Sequence, residues 1–148
     1  MILFEYIFFS IYKNTSITNK WNPISSSIGV LIVLVIFNTL TALIRLKAYL
    51  DFQLNENIFY VIIAIIVGIF LYHFYSNNKA EEIIEKLNNK RDKNSFWIDL
   101  IVLIYACLSI FTFFNLLEVG YETYIILILL IIFTSTYAYL KVVKFNNK

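Results

Sequence analysis

The sequence contains little of what most catalytic sites are made from. Its 148 residues include one histidine, His73, one cysteine, Cys107, one proline, one methionine and three glycines. A single cysteine excludes an intramolecular disulfide and any multi-cysteine metal site. The glycines stand at 29, 68 and 120, too far apart for a phosphate-cradling loop. Hydrolytic or transfer chemistry needs a nucleophile, a base and a stabiliser brought together, or a metal with several ligands. One histidine and one cysteine do not supply the usual sets, so no catalytic residue, metal site or cofactor is expected. Cys107 reads as a packing residue and His73 as an amphipathic residue near a helix end.

Charge is scarce as well. Charged residues make up 15% of the chain and hydrophobic ones 60%, against roughly 25% and 45 to 50% in soluble domains. The charges are clustered, which leaves four uncharged stretches at 21–44, 57–78, 100–117 and 123–140, holding 24, 22, 18 and 18 residues. A helix rises about 1.5 Å per residue and a bilayer core is about 30 Å thick, so roughly 18 to 25 apolar residues span it. Four such runs joined by short charged segments leave almost no polar face for water. The expected fold is an all-α membrane protein with four transmembrane helices in two antiparallel hairpins, with spans at about 23–44, 57–76, 97–117 and 123–140. The lipid bilayer is then its first partner.

The opening stretch MILFEYIFFSIY is apolar, but it is short and interrupted by Glu5. It also lacks the basic n-region and small-residue cleavage site of a signal peptide. It reads as an N-terminal interfacial helix over 2–12, with Tyr6 and Tyr12 as anchors.

Positive charge sets the orientation. With four spans, the N-terminus, the loop at 77–96 and the C-terminus share one side. That side holds Lys13, Lys20, Lys79, Lys86, Lys90, Arg91, Lys93, Lys141, Lys144 and Lys148, against Arg45 and Lys47 on the other. Both termini are therefore expected to be cytoplasmic. Aromatic belts agree with this: Trp21 and Trp97 open the first and third spans at one interface, and Tyr49, Tyr60, Tyr121 and Tyr124 lie at the other.

The loop NNKAEEIIEKLNNKRDK has a helical signature. Asn78 and Glu81 have the spacing of a capping box, Ile83, Ile84 and Leu87 make an apolar stripe, and Glu82 and Lys86 are i,i+4. It is expected to form a short cytoplasmic amphipathic helix, with Glu82, Ile83, Lys86 and Leu87 as candidates for docking a partner. Basic and acidic residues are mixed there, so nucleic-acid binding is not expected.

Within the spans, Asn22 and Pro23 suit the cap and first position of a helix. Ser27, Leu31, Leu34, Asn38 and Thr41 fall on one stripe of the first span. A polar group facing lipid is costly, so this stripe should face protein or a water-filled pore. Ala64 and Gly68, four apart, allow close helix approach in the second span. In the third span Ser109, Thr112 and Asn115 lie on neighbouring faces, and Gly120 is available as a left-handed cap in the turn EVGYET. The segment RLKAYLDFQLNEN reads as an outer loop along the membrane surface.

No ionisable group stands in the middle of a span, which argues against proton-coupled transport. The expected function is non-enzymatic: recognition of another membrane protein, or self-association, through helix faces. In size and span count the chain resembles small immunity proteins against pore-forming toxins, and an accessory subunit fits the same features. The alternative is an oligomeric channel or membrane-depolarising effector, of the kind used in bacterial antiviral defence, with the Ser27–Asn38–Thr41 stripe wetting a pore. The abundance of Asn, Lys, Ile and Phe matches an AT-rich bacterial genome and hence an inner-membrane location.

Overall fold

The computed structural model describes residues 2–50, 56–89, 95–125 and 129. Among these the chain is helical throughout, with no strand: α1 (Ile2–Thr18), α2 (Pro23–Leu50), α3 (Glu56–Tyr75), α4 (Lys79–Asn89) and α5 (Ser95–Leu116). Helices α2, α3 and α5 are long and apolar enough to cross a membrane. The expected span at 123–140 lies outside the described residues except for 123–125 and 129, and 121–125 are helical.

Local chemistry sets most boundaries. Asn22 caps α2, its side-chain oxygen accepting the Ser25 N–H at 3.2 Å, and Pro23 follows at the first helical position. Asn19 fixes the corner before it by accepting from the backbone N–H groups of Trp21 and Asn22 at 3.2 and 3.3 Å.

Three boundaries differ from the expectation. First, α1 continues past residue 12 to Thr18. Asn, Thr and Ser are indifferent helix formers, but here the last turns are held by contacts to other helices. Second, α2 runs 28 residues to Leu50, about 42 Å, so residues 45–50 are helix instead of surface loop. The run Arg45, Leu46, Lys47, Ala48 is made of strong helix formers. Third, the turn after α5 uses Glu118, with φ 52°, as its left-handed residue; no described glycine has positive φ. Glu118 N–H bonds Asn115 C=O at 3.2 Å and Val119 N–H bonds Phe114 C=O at 3.3 Å, the paired bonds of a Schellman end. Gly120 instead begins the next helical turn, its carbonyl accepting the Thr123 N–H at 3.0 Å.

Between α3 and α4 a single 3₁₀ turn (Ser76–Asn78) kinks the chain, with Asn77 and Asn78 both at φ 54°. Asparagine tolerates this region better than most residues. Asn78 therefore contributes backbone geometry here.

The start of α2, the end of α3 and the start of α5 lie at one end of the molecule. Ser25, near the start of α2, shares a hydrogen bond with Tyr75, at the end of α3, at 2.6 Å. Helix α1 touches all three near that end: Glu5 faces His73 of α3 at 3.8 Å, Thr15 bonds Ser27 of α2 at 2.7 Å, and Lys13 pairs with Asp99 of α5. Helix α4 closes the same end by burying Ala80, Ile83 and Leu87 beside α1 and α3.

The buried core sits there too. Phe8 and Leu31 are 0% exposed, and Ile7, Ile28, Phe70, Phe74 and Val102 join them. Aromatic rings interlock across the α1–α3 contact, with Phe4 edge-on to Phe70 at 5.2 Å and Phe8 against Phe74 at 4.7 Å. On outward faces, Val61, Ile65 and Ile69 of α3 and Ile101, Leu103, Ile104, Leu108 and Phe111 of α5 are exposed. An apolar surface this continuous is costly in water and costs nothing in lipid.

Candidate functional site

The candidate residues divide into those the chain uses internally and those it leaves outward. The α2 stripe belongs to the first group. Ser27, Leu31 and Leu34 are buried, Asn38 and Thr41 half-buried. Ser27 donates to Pro23 C=O at 2.6 Å and also meets the Thr15 hydroxyl. Further along, the Asn38 amide nitrogen lies 2.8 Å from Leu34 C=O, 2.8 Å from the Tyr105 hydroxyl and 3.0 Å from the Ser109 hydroxyl. Ser109 in turn donates to Tyr105 C=O at 2.8 Å. Phe37 stacks on Phe113 at 4.5 Å beside this cluster. Thr41 Oγ1 is buried without a hydrogen-bond partner among the described residues.

The small-residue pair of α3 lies outward. Ala64 and Gly68 are exposed, nothing approaches within 4 Å of a Cβ placed on Gly68, and the flanking Tyr60 and Tyr72 are 68% and 77% exposed. These four residues are spaced by four along α3 and form one exposed row.

Helix α4 divides its candidates. Ile83 and Leu87 are buried in the chain's own core, whereas Glu82 and Lys86 are exposed, with Glu81 and Glu85 beside them. Glu82 accepts from Lys79 at 2.8 Å, an i,i+3 pair in place of the expected i,i+4 bond to Lys86. The hydrogen bond from Lys79, followed by its charge, holds the Glu82 carboxyl below its ordinary value. The same hydrogen bond holds the Lys79 ammonium above its own.

Trp21 is 99% exposed and Trp97 is also exposed. Cys107 is exposed too, against the expectation that it packs. It shares an outward face of α5 with Ile104, Leu108 and Phe111, while Tyr105 and Ser109 turn to α2.

A shallow open groove of about 440 Å³ runs along α2 past Gly29, Val30, Val33 and Phe37 to Ile110 of α5, with little polar lining. Among the described residues no three His, Cys, Asp or Glu side chains come close enough to hold a metal ion. The residues that sequence reasoning missed are Tyr105, Lys13, Thr15 and Asp99. Tyr105 carried a signal: a tyrosine in the middle of a span, four residues before a serine, needs a partner for its hydroxyl. The tethers of α1 carried none, since each joins residues distant in sequence. Comparison with known protein families, characterised proteins and solved structures finds no match for this chain.

Proposed function

We propose that the chain is a non-enzymatic integral membrane protein of the bacterial inner membrane that recognises another membrane protein through its helix surfaces, as an immunity or accessory protein would. Both termini lie in the cytoplasm, α1 rests at the interface, and the segment 123–140 completes a fourth span. Clustering of ten of the twelve basic residues on one side supports this orientation.

The observation that carries the recognition reading is the exposed row Tyr60, Ala64, Gly68 and Tyr72 on α3. Small residues on an outward face let a second backbone approach closely, and the tyrosines offer polar ends at the row's margins. The buried state of Ser27, Leu31 and Leu34 supports this reading over a pore, because their partners lie in the same chain.

Site-specific photocrosslinking tests it. A crosslinker at Ile65, beside the row, is expected to give one discrete adduct in native membranes. Gly68→Ile should remove that adduct, and a crosslinker at Leu108 on α5 should give none. Adducts from both positions alike, or from neither, would sink the assignment of α3.

A further inference from the structure

Helix α1 is held by two different chemistries along its length. Its first half is held chiefly by apolar contacts: Ile7 and Phe8 are buried, and Phe4 and Phe8 pack their rings on Phe70 and Phe74 of α3, beside which Glu5 faces His73 at 3.8 Å. Past Ile11, which packs against the core where the two halves meet, the contacts to the other helices are polar. Lys13 pairs with Asp99, Thr15 with Ser27, and Asn19, just past the helix end, donates to Ser26 at 2.7 Å. Asp99, Ser27 and Ser26 lie on the adjoining starts of α5 and α2, and each meets a polar side chain from α1 or its end.

The Lys13 and Asp99 side chains keep 25% and 29% of their surface exposed. With α1 at the membrane interface, as proposed above, water and ions reach this pair, and an accessible pair is weakened by salt in a way that buried rings are not. The two halves of α1 need not open together, since locally stable units open with their own free energies.

We propose that residues 11–18 form a polar latch over Ser27 that opens separately from the anchored first half of α1, with the Lys13–Asp99 ion pair as its salt-sensitive element. Opening bares Ser26, Ser27 and Asp99 at one end of the molecule, a set of polar groups that another helix can bond. The latch rests on α1 alone and does not depend on the role assigned to α3.

Amide hydrogen exchange on the full chain in lipid nanodiscs tests this. Asp99→Asn is expected to speed exchange over residues 11–18 roughly two- to fivefold, the range a partly exposed ion pair supports, and to leave residues 6–10 unchanged. The double variant Lys13→Asp with Asp99→Lys should restore the original rate. In the unmodified chain, raising salt should speed residues 11–18 alone, a readout that needs no variant to fold. An unchanged rate over 11–18, equal acceleration of both halves, no rescue by the charge exchange or no response to salt would each overturn the latch.

Discussion

The Asn38 side-chain amide of α2 donates to the Tyr105 hydroxyl of α5 across 2.8 Å, and to Ser109 one turn further on. Two of the helices long and apolar enough to cross a membrane are thereby joined by side chains. In lipid there is no hydrophobic drive between helices, so such contacts and close packing carry the association, at about 0.6 kcal/mol per interhelical bond. Asn38→Leu removes both bonds and leaves Tyr105 without this partner. The expected loss is about 1 to 2 kcal/mol of stability, read by reversible unfolding in detergent or bicelles, with Tyr105→Phe causing a smaller loss.

The same variant separates the two functional readings. With Asn38 engaged inside one chain, inducing the protein in cells is expected to leave the membrane potential unchanged, for wild type and Asn38→Leu alike, at matched protein levels. A voltage-sensitive dye reports it. Depolarisation by the wild type that the variant loses would return the pore reading and identify Asn38 as its lining.

At Gly68 the expected outcomes for fold and recognition part company. Nothing lies within 4 Å of a Cβ placed there, and a side chain in mid-helix improves on glycine by up to ~1 kcal/mol. Gly68→Ile should therefore fold and insert at normal levels while losing partner contact at α3. Size-exclusion chromatography and the α3 crosslink measure the two effects side by side.

Much of this architecture is legible from where charges are missing. Gaps between charged residues marked three helices to within a few residues at most ends, because the apolar run and the helix coincide. The exception is α2, which passes Arg45 and Lys47 without breaking: charge shows where a bilayer can begin, not where a helix stops. Glycine misled in the same manner. Gly120 had the right chemistry for a left-handed residue, yet the hydrogen bonds of the turn place that conformation two positions earlier, at Glu118. For the candidate site, periodicity put Ser27, Leu31, Leu34 and Asn38 on one stripe, since a stripe is a local property. It could not say what the stripe faces. That is decided by Thr15 and Tyr105, which lie on other helices.

Helix α4 offers a contrast between its two faces. Ile83 is 2% exposed, in a cluster with residues from α1 and α3, while Glu82 and Lys86 point away. Ile83→Ala is expected to cost about 2 to 5 kcal/mol by leaving a cavity and to release α4. Lys86→Gln should be nearly neutral, within about 0.5 kcal/mol. Limited proteolysis of the 77–96 region distinguishes them: rapid cleavage for the first variant, wild-type kinetics for the second. Equal cleavage of both would mean that α4 is not held by its apolar face.

The Lys79–Glu82 pair gives α4 a dependence on pH whose sign follows from the shifts. The Glu82 carboxyl lies below its ordinary value of 4.5 in the folded chain because Lys79 donates a hydrogen bond to it. A lowered carboxyl contributes stability that is fully present above 4.5 and is lost as pH falls through the folded value. The Lys79 ammonium, raised above 10.5 by the same bond, contributes below 10.5 and loses its contribution as pH rises past the folded value. The first turn of α4 should therefore be best protected between those limits, with exchange of its amides speeding on acidification below 4.5 once intrinsic rates are corrected. Glu82→Gln removes the acid limb of that profile at this site. Persistence of the acid limb in Glu82→Gln would show that the Lys79–Glu82 pair is not its source.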